Sequence, residues 1–134
     1  MPVRKGKEED PVPPRLHELE SEVMEERWAI GEGTVRAVME ALNPRTDKPR
    51  AYTTYMTIMS RLHRKGVLVR RREGKTDFYA PVYDREAYMR LRAGVEVDEL
   101  VAQYGDAALS HFALQVGALD PTRRRALQRL AREQ

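Results

Sequence analysis

Cysteine is absent from this 134-residue chain. Its absence excludes disulfide crosslinks, thiolate metal ligands and a cysteine nucleophile. No apolar run approaches the ~20 residues a helix needs to cross a bilayer. Residues 1–15 mix Lys5, Lys7, Glu8, Glu9 and Asp10 with Pro2, Pro11, Pro13 and Pro14. They hold no apolar signal segment, so the expected location is the cytoplasm, without membrane insertion. The three histidines, His17, His63 and His111, fall on three different expected helices. No His-x-x-x-His pair, glycine-rich phosphate loop or spaced carboxylate cluster accompanies them. Ser110 and His111 are adjacent in a helix and point in different directions, so they do not start a triad. An enzyme is therefore not expected, nor is a cofactor or a metal.

What remains is a charged, water-compatible chain of one domain's length, 41% hydrophobic and 34% charged. Its net charge of +3 is unevenly placed. Residues 50–75 hold 8 basic residues and one acid, Glu73. Residues 1–49 balance to −3 and residues 76–134 to −1. A concentrated basic window in a slightly acidic chain is the electrostatic footprint of a polyanion-binding surface.

Along the chain, the proline-rich residues 1–14 read as a flexible tail. Leu16, Leu19, Val23, Met24 and Trp28 follow helical spacing and predict a first helix, with Glu18, Glu22 and Glu26 as its exposed decoration. After Gly31 and Gly33, Thr34 is suited to cap a second helix buried through Val35, Val38, Met39 and Leu42. Residues 43–50 read as a polar turn. A third helix is predicted from Ala51 to Lys65, buried through Tyr55, Ile58, Met59 and Leu62, with Gly66 ending it. The period then changes to that of a hairpin. Val67–Arg72 reads as a strand, Glu73-Gly74-Lys75 as a turn, and Thr76–Ala80 as the return, with Phe78 and Tyr79 packing inward. Three more helices follow, the last opening at Asp120-Pro121. These hold too few apolar residues to form a core of their own and need a partner surface.

Three short helices and a hairpin are the organisation of a winged helix-turn-helix. The expected architecture is mainly α, with the winged unit over residues 15–82 and a helical dimerisation region over 83–134. In the third helix, Thr53, Met56, Thr57, Ser60 and Arg64 lie opposite the buried stripe, with Thr54 and Arg61 flanking, and Thr53, Thr57, Ser60 and Arg64 cluster together. Small hydroxyl side chains let a helix approach base edges closely, and Thr offers both a methyl and a hydroxyl. Arg61, Arg64 and Lys65 suit phosphate contact. The hairpin adds Arg70, Arg71, Arg72 and Lys75, a basic wing whose contribution should be independent of sequence and sensitive to salt. The expected partner is double-stranded DNA.

The string from Ala51 to Gly66, Ala-Tyr-Thr-Thr-Tyr-Met-Thr-Ile-Met-Ser-Arg-Leu-His-Arg-Lys-Gly, resembles the recognition helix of the BlaI/MecI/CopY-type penicillinase-repressor family, most closely its actinobacterial form. Supporting matches are Leu19-Glu20-x-x-Val23-Met24-x-x-x-Trp28, Thr34-Val35-Arg36-x-Val38, Phe78-Tyr79-Ala80-Pro81 and Leu109-x-x-Phe112. The resemblance covers roughly residues 16–119 and implies a homodimeric repressor on a dyad operator with TACA-like and TGTA-like half-sites. It points to Thr53, Thr54 and Thr57 as readers. Leu91, Leu100, Leu109, Phe112 and Val116 are the expected dimer contacts. Staphylococcal members carry an Arg where this chain has Met56. Copper sensing through a C-terminal cysteine motif is excluded. The resemblance also suggests a membrane sensor-protease as partner, cutting at the position of His111-Phe112, although Phe112 fits core packing as well. A competing reading is a winged helix that binds protein or RNA without operator specificity. The hydroxyl-rich face of the third helix argues against it.

Overall fold

The computed structural model describes residues 12–133. Most of the tail expected over residues 1–14 lies outside them. The last part does not hang free, because the Pro13 carbonyl accepts from Arg92 Nη1 at 3.2 Å and the Pro14 carbonyl from Tyr88 Oη at 2.8 Å. The architecture is mainly helical, as expected: α1 (Glu18–Ile30), α2 (Val35–Leu42), α3 (Tyr52–Arg64), the antiparallel hairpin β1 (Leu68–Glu73) and β2 (Thr76–Pro81), then α4 (Arg85–Tyr104), α5 (Asp106–Gly117) and α6 (Pro121–Arg132). A single 3₁₀ turn, Asn43–Arg45, tightens what the sequence showed only as a polar turn. The chain divides into two compact units, the first ending at Ala93 and the second beginning at Gly94.

The core of the first unit lies where the three helices meet the base of the hairpin. Val23 and Met24 of α1, Val35, Val38 and Leu42 of α2, and Tyr55, Ile58, Met59 and Leu62 of α3 are all buried. Val67, Leu68 and Tyr79 close it from the hairpin side. Thr34 caps α2 by accepting from the Ala37 N–H at 3.1 Å. The end of α3 is a Schellman turn: Gly66 takes a left-handed φ of +80°, its N–H reaches the His63 carbonyl, and the Val67 N–H reaches the Leu62 carbonyl. That turn reverses the chain directly from the third helix into the wing. Trp28 joins α1 to the start of α4, donating to the Tyr83 carbonyl at 2.9 Å and lying 5.3 Å from the Tyr88 ring. Tyr83, Ala87 and Tyr88 form a second small cluster there, with Leu91 packed against it.

One expectation for α1 is wrong. Glu26 is not surface decoration but buried, gripped by its neighbour Arg27, whose Nε and Nη2 donate to the two carboxylate oxygens at 2.6 and 2.8 Å. Arg27 also donates from Nη1 to the Gly31 carbonyl at 3.1 Å. A buried guanidinium needs acceptors for its nitrogens, and here each of the three donates once, two to Glu26 and one to the α1–α2 loop. Gly33 is the cost of that arrangement: a Cβ there would overlap Arg27 Nη1. Gly33 in turn exchanges two backbone hydrogen bonds with Tyr79, at 3.0 and 2.8 Å, which ties the wing to the loop.

Within the second unit, Asp120 caps α6 through the Arg123 N–H. Arg124 covers the end of α5 by donating to the carbonyls of Val116, Gly117 and Leu119. Among the described residues from 94 onward, none is buried.

Candidate nucleic-acid interface

The placement of α3 begins with Asn43. Its Oδ1 accepts from the Arg50 N–H at 3.0 Å and the Tyr55 hydroxyl at 2.7 Å, and its Nδ2 donates to the Arg50 carbonyl at 2.9 Å. One side chain thereby closes the loop over residues 43–50 and fixes the first turn of α3. Nothing in the sequence pattern singled it out, because an Asn before Pro reads only as a turn residue. With Tyr55, Ile58, Met59 and Leu62 turned into the core, Thr53, Thr54, Met56, Thr57 and Arg64 are left exposed, and Ser60 and Arg61 are half-buried at the edge. Tyr52 is also exposed, with the Arg36 guanidinium 5.8 Å from its ring centre.

Lys65 stands apart from this face. Its ammonium donates to both carboxylate oxygens of Glu20 at 2.9 Å. Glu20 is fully buried and also accepts from the His17 N–H at 2.9 Å. Burial raises the Glu20 carboxyl's affinity for a proton, but the His17 N–H and the Lys65 ammonium outweigh it, and the group is held below its ordinary value. The pair fastens the start of α1 to the end of α3. Sequence reasoning could not find it, since the two residues lie 45 positions apart and each looks like surface charge.

In the wing, strand alternation divides the arginines. Arg70 and Arg72 share the β1 face of Leu68, opposite Tyr79 and Asp77, and both are exposed. Arg71 lies on the other face and is fully engaged. Its Nη2 and Nε donate to Glu32 at 2.7 and 3.2 Å, its Nη1 donates to Glu73 at 2.9 Å, and its Cζ sits 4.7 Å from the centre of the Phe78 ring. The bond from Arg71 holds the Glu32 carboxyl below its ordinary value, and the two acids raise the arginine in turn. Phe78 is therefore half-buried beneath Arg71 rather than in the core with Tyr79. Lys75, at the hairpin tip, is exposed and forms no ion pair among the described residues. Of the cations expected to face phosphate, Arg61, Arg64, Arg70, Arg72 and Lys75 carry no carboxylate partner among the described residues, whereas Lys65 and Arg71 act as internal fasteners.

The expected dimer contacts also separate. Leu91 packs inside the first unit against Tyr83 and Tyr88. Leu100, Leu109 and Val116 lie exposed, and Phe112 is half-buried. Val97, Tyr104, Leu114, Leu127 and Leu130 join the exposed apolar surface. No helix among the described residues is long and apolar enough to cross a membrane.

The solution structure of the DNA binding domain of the repressor BlaI is 27% identical, covering 58% of this chain and 92% of that domain, with a TM-score of 0.49. The Bacillus licheniformis BlaI monomeric form, solved in complex with the blaP half-operator, is 28% identical, covering 57% and 90%, with a TM-score of 0.47. The transcriptional regulator BlaI of Mycobacterium tuberculosis, in strains CDC 1551 / Oshkosh and ATCC 25618 / H37Rv, is 44% identical over 110 residues, which is 78% of this chain and 75% of that protein. The penicillinase repressor family model matches residues 16–133. On that match and that identity, the chain belongs to the penicillinase repressor family of transcriptional regulators.

Proposed function

We propose that this protein is a homodimeric, sequence-specific repressor that binds a dyad operator, reading bases with α3 and holding the backbone with the wing. The observation that carries the reading is the exposed hydroxyl face of α3. Thr53, Thr54 and Thr57 stand clear of a core that needs none of them. Arg61 and Arg64 follow in the later turns, suited to phosphate, and Arg70, Arg72 and Lys75 extend the positive surface along the wing. Met56 lies among the readers and offers an apolar contact, as to a thymine methyl.

Dimerisation is supported by the second unit. A stretch of three helical segments with no buried residue, and with Leu100, Leu109, Val116 and Leu127 exposed, lacks a core until something covers it. A second copy supplies both the cover and the two-fold symmetry of a dyad operator. Input through a sensor-protease at His111-Phe112 would require α5 to open locally, because the bond lies inside that helix.

The deciding experiment titrates Thr53→Ala and Thr57→Ala against an operator selected from random duplexes and against its single-base variants. Each mutant should melt like the parent, since Ala is the better helix former. Each should lose about 1–3 kcal/mol of discrimination at one or two base pairs per half-site. Unchanged base preference in both would remove α3 as the reading element.

A further inference from the structure

Helix α6 has two faces, and the dimer reading accounts for only one of them. Taken in 100° steps, Arg125, Arg129 and Arg132 fall within about 60° of one another, and Leu127 and Leu130 lie about 160° away. The leucines belong to the exposed apolar surface that a second copy would cover. The three arginines are exposed and, with Thr122 and Gln128, line one open hollow on the helix. None of the three forms an ion pair among the described residues. The helix Pro121–Arg132 holds five arginines and no acid. Arg124 is committed to the carbonyls at the end of α5, and Arg123 lies on the leucine side. The helix dipole favours cations in a last turn, which suits Arg129 and Arg132 but not Arg125, about two turns from the end.

We infer that this arginine face holds the phosphate backbone of duplex DNA, as a second contact surface that reads no bases. The inference rests on the DNA-binding reading above and extends it from the winged unit to the second unit. The composition of the face selects the occupant. Arg125 and Arg132 stand seven residues apart, roughly 10 Å along the helix axis, which spans about three phosphates of one strand at about 3.4 Å each. Guanidinium groups fork onto phosphate oxygens, and Thr and Gln side chains hydrogen-bond them as well. A protein partner needs an apolar or aromatic anchor at the centre of the contact. A membrane surface needs apolar side chains to insert below the headgroups. The arginine face supplies neither, because Leu127 and Leu130 lie on the far side of the helix. A nucleic-acid backbone needs only positive charge and hydrogen-bond donors, and those are what the face holds.

The test uses the full-length chain with Arg125→Gln, Arg129→Gln and Arg132→Gln combined, and a second chain with the same positions changed to Lys. Each is titrated by fluorescence anisotropy against the selected operator, its single-base variants and an unrelated duplex over a salt series, with sedimentation alongside. The Gln variant should keep the parent's oligomeric state and base preference, and should bind every duplex more weakly by the same factor. Three lost phosphate contacts lower the slope of log affinity against log salt by about 2.7 per engaged copy. Between about 50 and 200 mM salt, the parent's advantage should then shrink about 40-fold for one engaged copy. The Lys variant keeps the charge and should keep the parent's slope. Unchanged slope and affinity in the Gln variant would overturn the inference. A Gln variant that loses the parent's dimer would also overturn it, by placing the arginines between the copies. So would loss of binding to phosphatidylserine vesicles or to polyglutamate with DNA binding intact, which would assign the face to a membrane or to an acidic protein. A parent with no base preference, but with the slope change intact, would overturn the operator reading and still support the α6 contact.

Discussion

Replacing the wing arginines one at a time tests how the wing uses its charge. Arg70 and Arg72 extend from β1 without a carboxylate partner among the described residues, whereas Arg71 is held by Glu32 and Glu73 and lies over Phe78. Each phosphate neutralised contributes about 0.9 to the slope of log affinity against log salt. The proposed dimer would present two wings, so Arg70→Ala or Arg72→Ala should flatten the slope by about 1.8. Between about 50 and 200 mM salt, a fourfold change, the parent's advantage over either mutant should then shrink about 12-fold. Arg71→Ala should behave differently. To reach phosphate its guanidinium would have to leave two carboxylates, one of them gripping it through two nitrogens. Its loss exposes Glu32 and Glu73 to the approaching duplex, a long-range repulsion that fades beyond a Debye length of about 8–10 Å. The mutant should bind more weakly at low salt, and its slope should move by well under half the Arg70→Ala change. Fluorescence anisotropy on one operator duplex across a salt series measures all three. Equal slope changes for Arg70→Ala and Arg71→Ala would refute the division of roles drawn from strand alternation and ion pairing.

Three further perturbations probe the supports beneath the interface. Gly33→Ala drives a methyl group into a guanidinium that is itself buried and held by Glu26, so it should cost about 2–3 kcal/mol in a denaturant titration. A wild-type midpoint would mean that Arg27 can move aside. Lys65→Ala leaves Glu20 buried without its ammonium and should cost about 3 kcal/mol, the low end for a broken buried pair because Lys65 is a quarter exposed. The folded Glu20 carboxyl lies below its ordinary 4.5, so the parent keeps the full contribution of this pair above that pH and loses it as pH falls through the lowered folded value. Melts across an acidic pH series should show that loss in the parent and a flatter acid limb in Lys65→Ala. Finally, a chain truncated after Ala93 retains Tyr83, Ala87, Tyr88 and Leu91 and should fold as a monomer with much weaker operator binding; a dimer in sedimentation would contradict the assignment of the interface to the helices that follow.

The helices and hairpin were legible because their apolar residues recur with the right period. Tyr55, Ile58, Met59 and Leu62 define the inner face of α3, and the outer face follows by subtraction. What periodicity does not carry is the partner of a charge. Lys65 and Arg71 read as members of a basic cluster, and only the folded chain brings Glu20 and Glu32 to them. Glu26 sits in a helical row with Glu18 and Glu22, yet a neighbouring arginine turned inward takes it into the interior. Asn43 resembles any loop polar residue until Arg50 and Tyr55 close around it. Leu91 continues the apolar spacing of α4, but Tyr83 and Tyr88 claim it for the first unit. For Lys65 and Arg71 a contact 45 and 39 positions away decided the role, and for Glu26, Asn43 and Leu91 it was the burial of a near neighbour, neither of which the spacing of apolar residues records.

The contact between Arg27 and Gly33 also restricts how this sequence can change over generations. A side chain at position 33 requires the Arg27 guanidinium to be displaced or lost, and either change takes the buried Glu26 carboxylate's partner away. Each single step passes through a chain with a clash or an orphaned charge. The three sites therefore form one heritable unit, expected to persist together or to be replaced together. A family member that carries a larger residue at the glycine position should lack both the buried arginine and its acid.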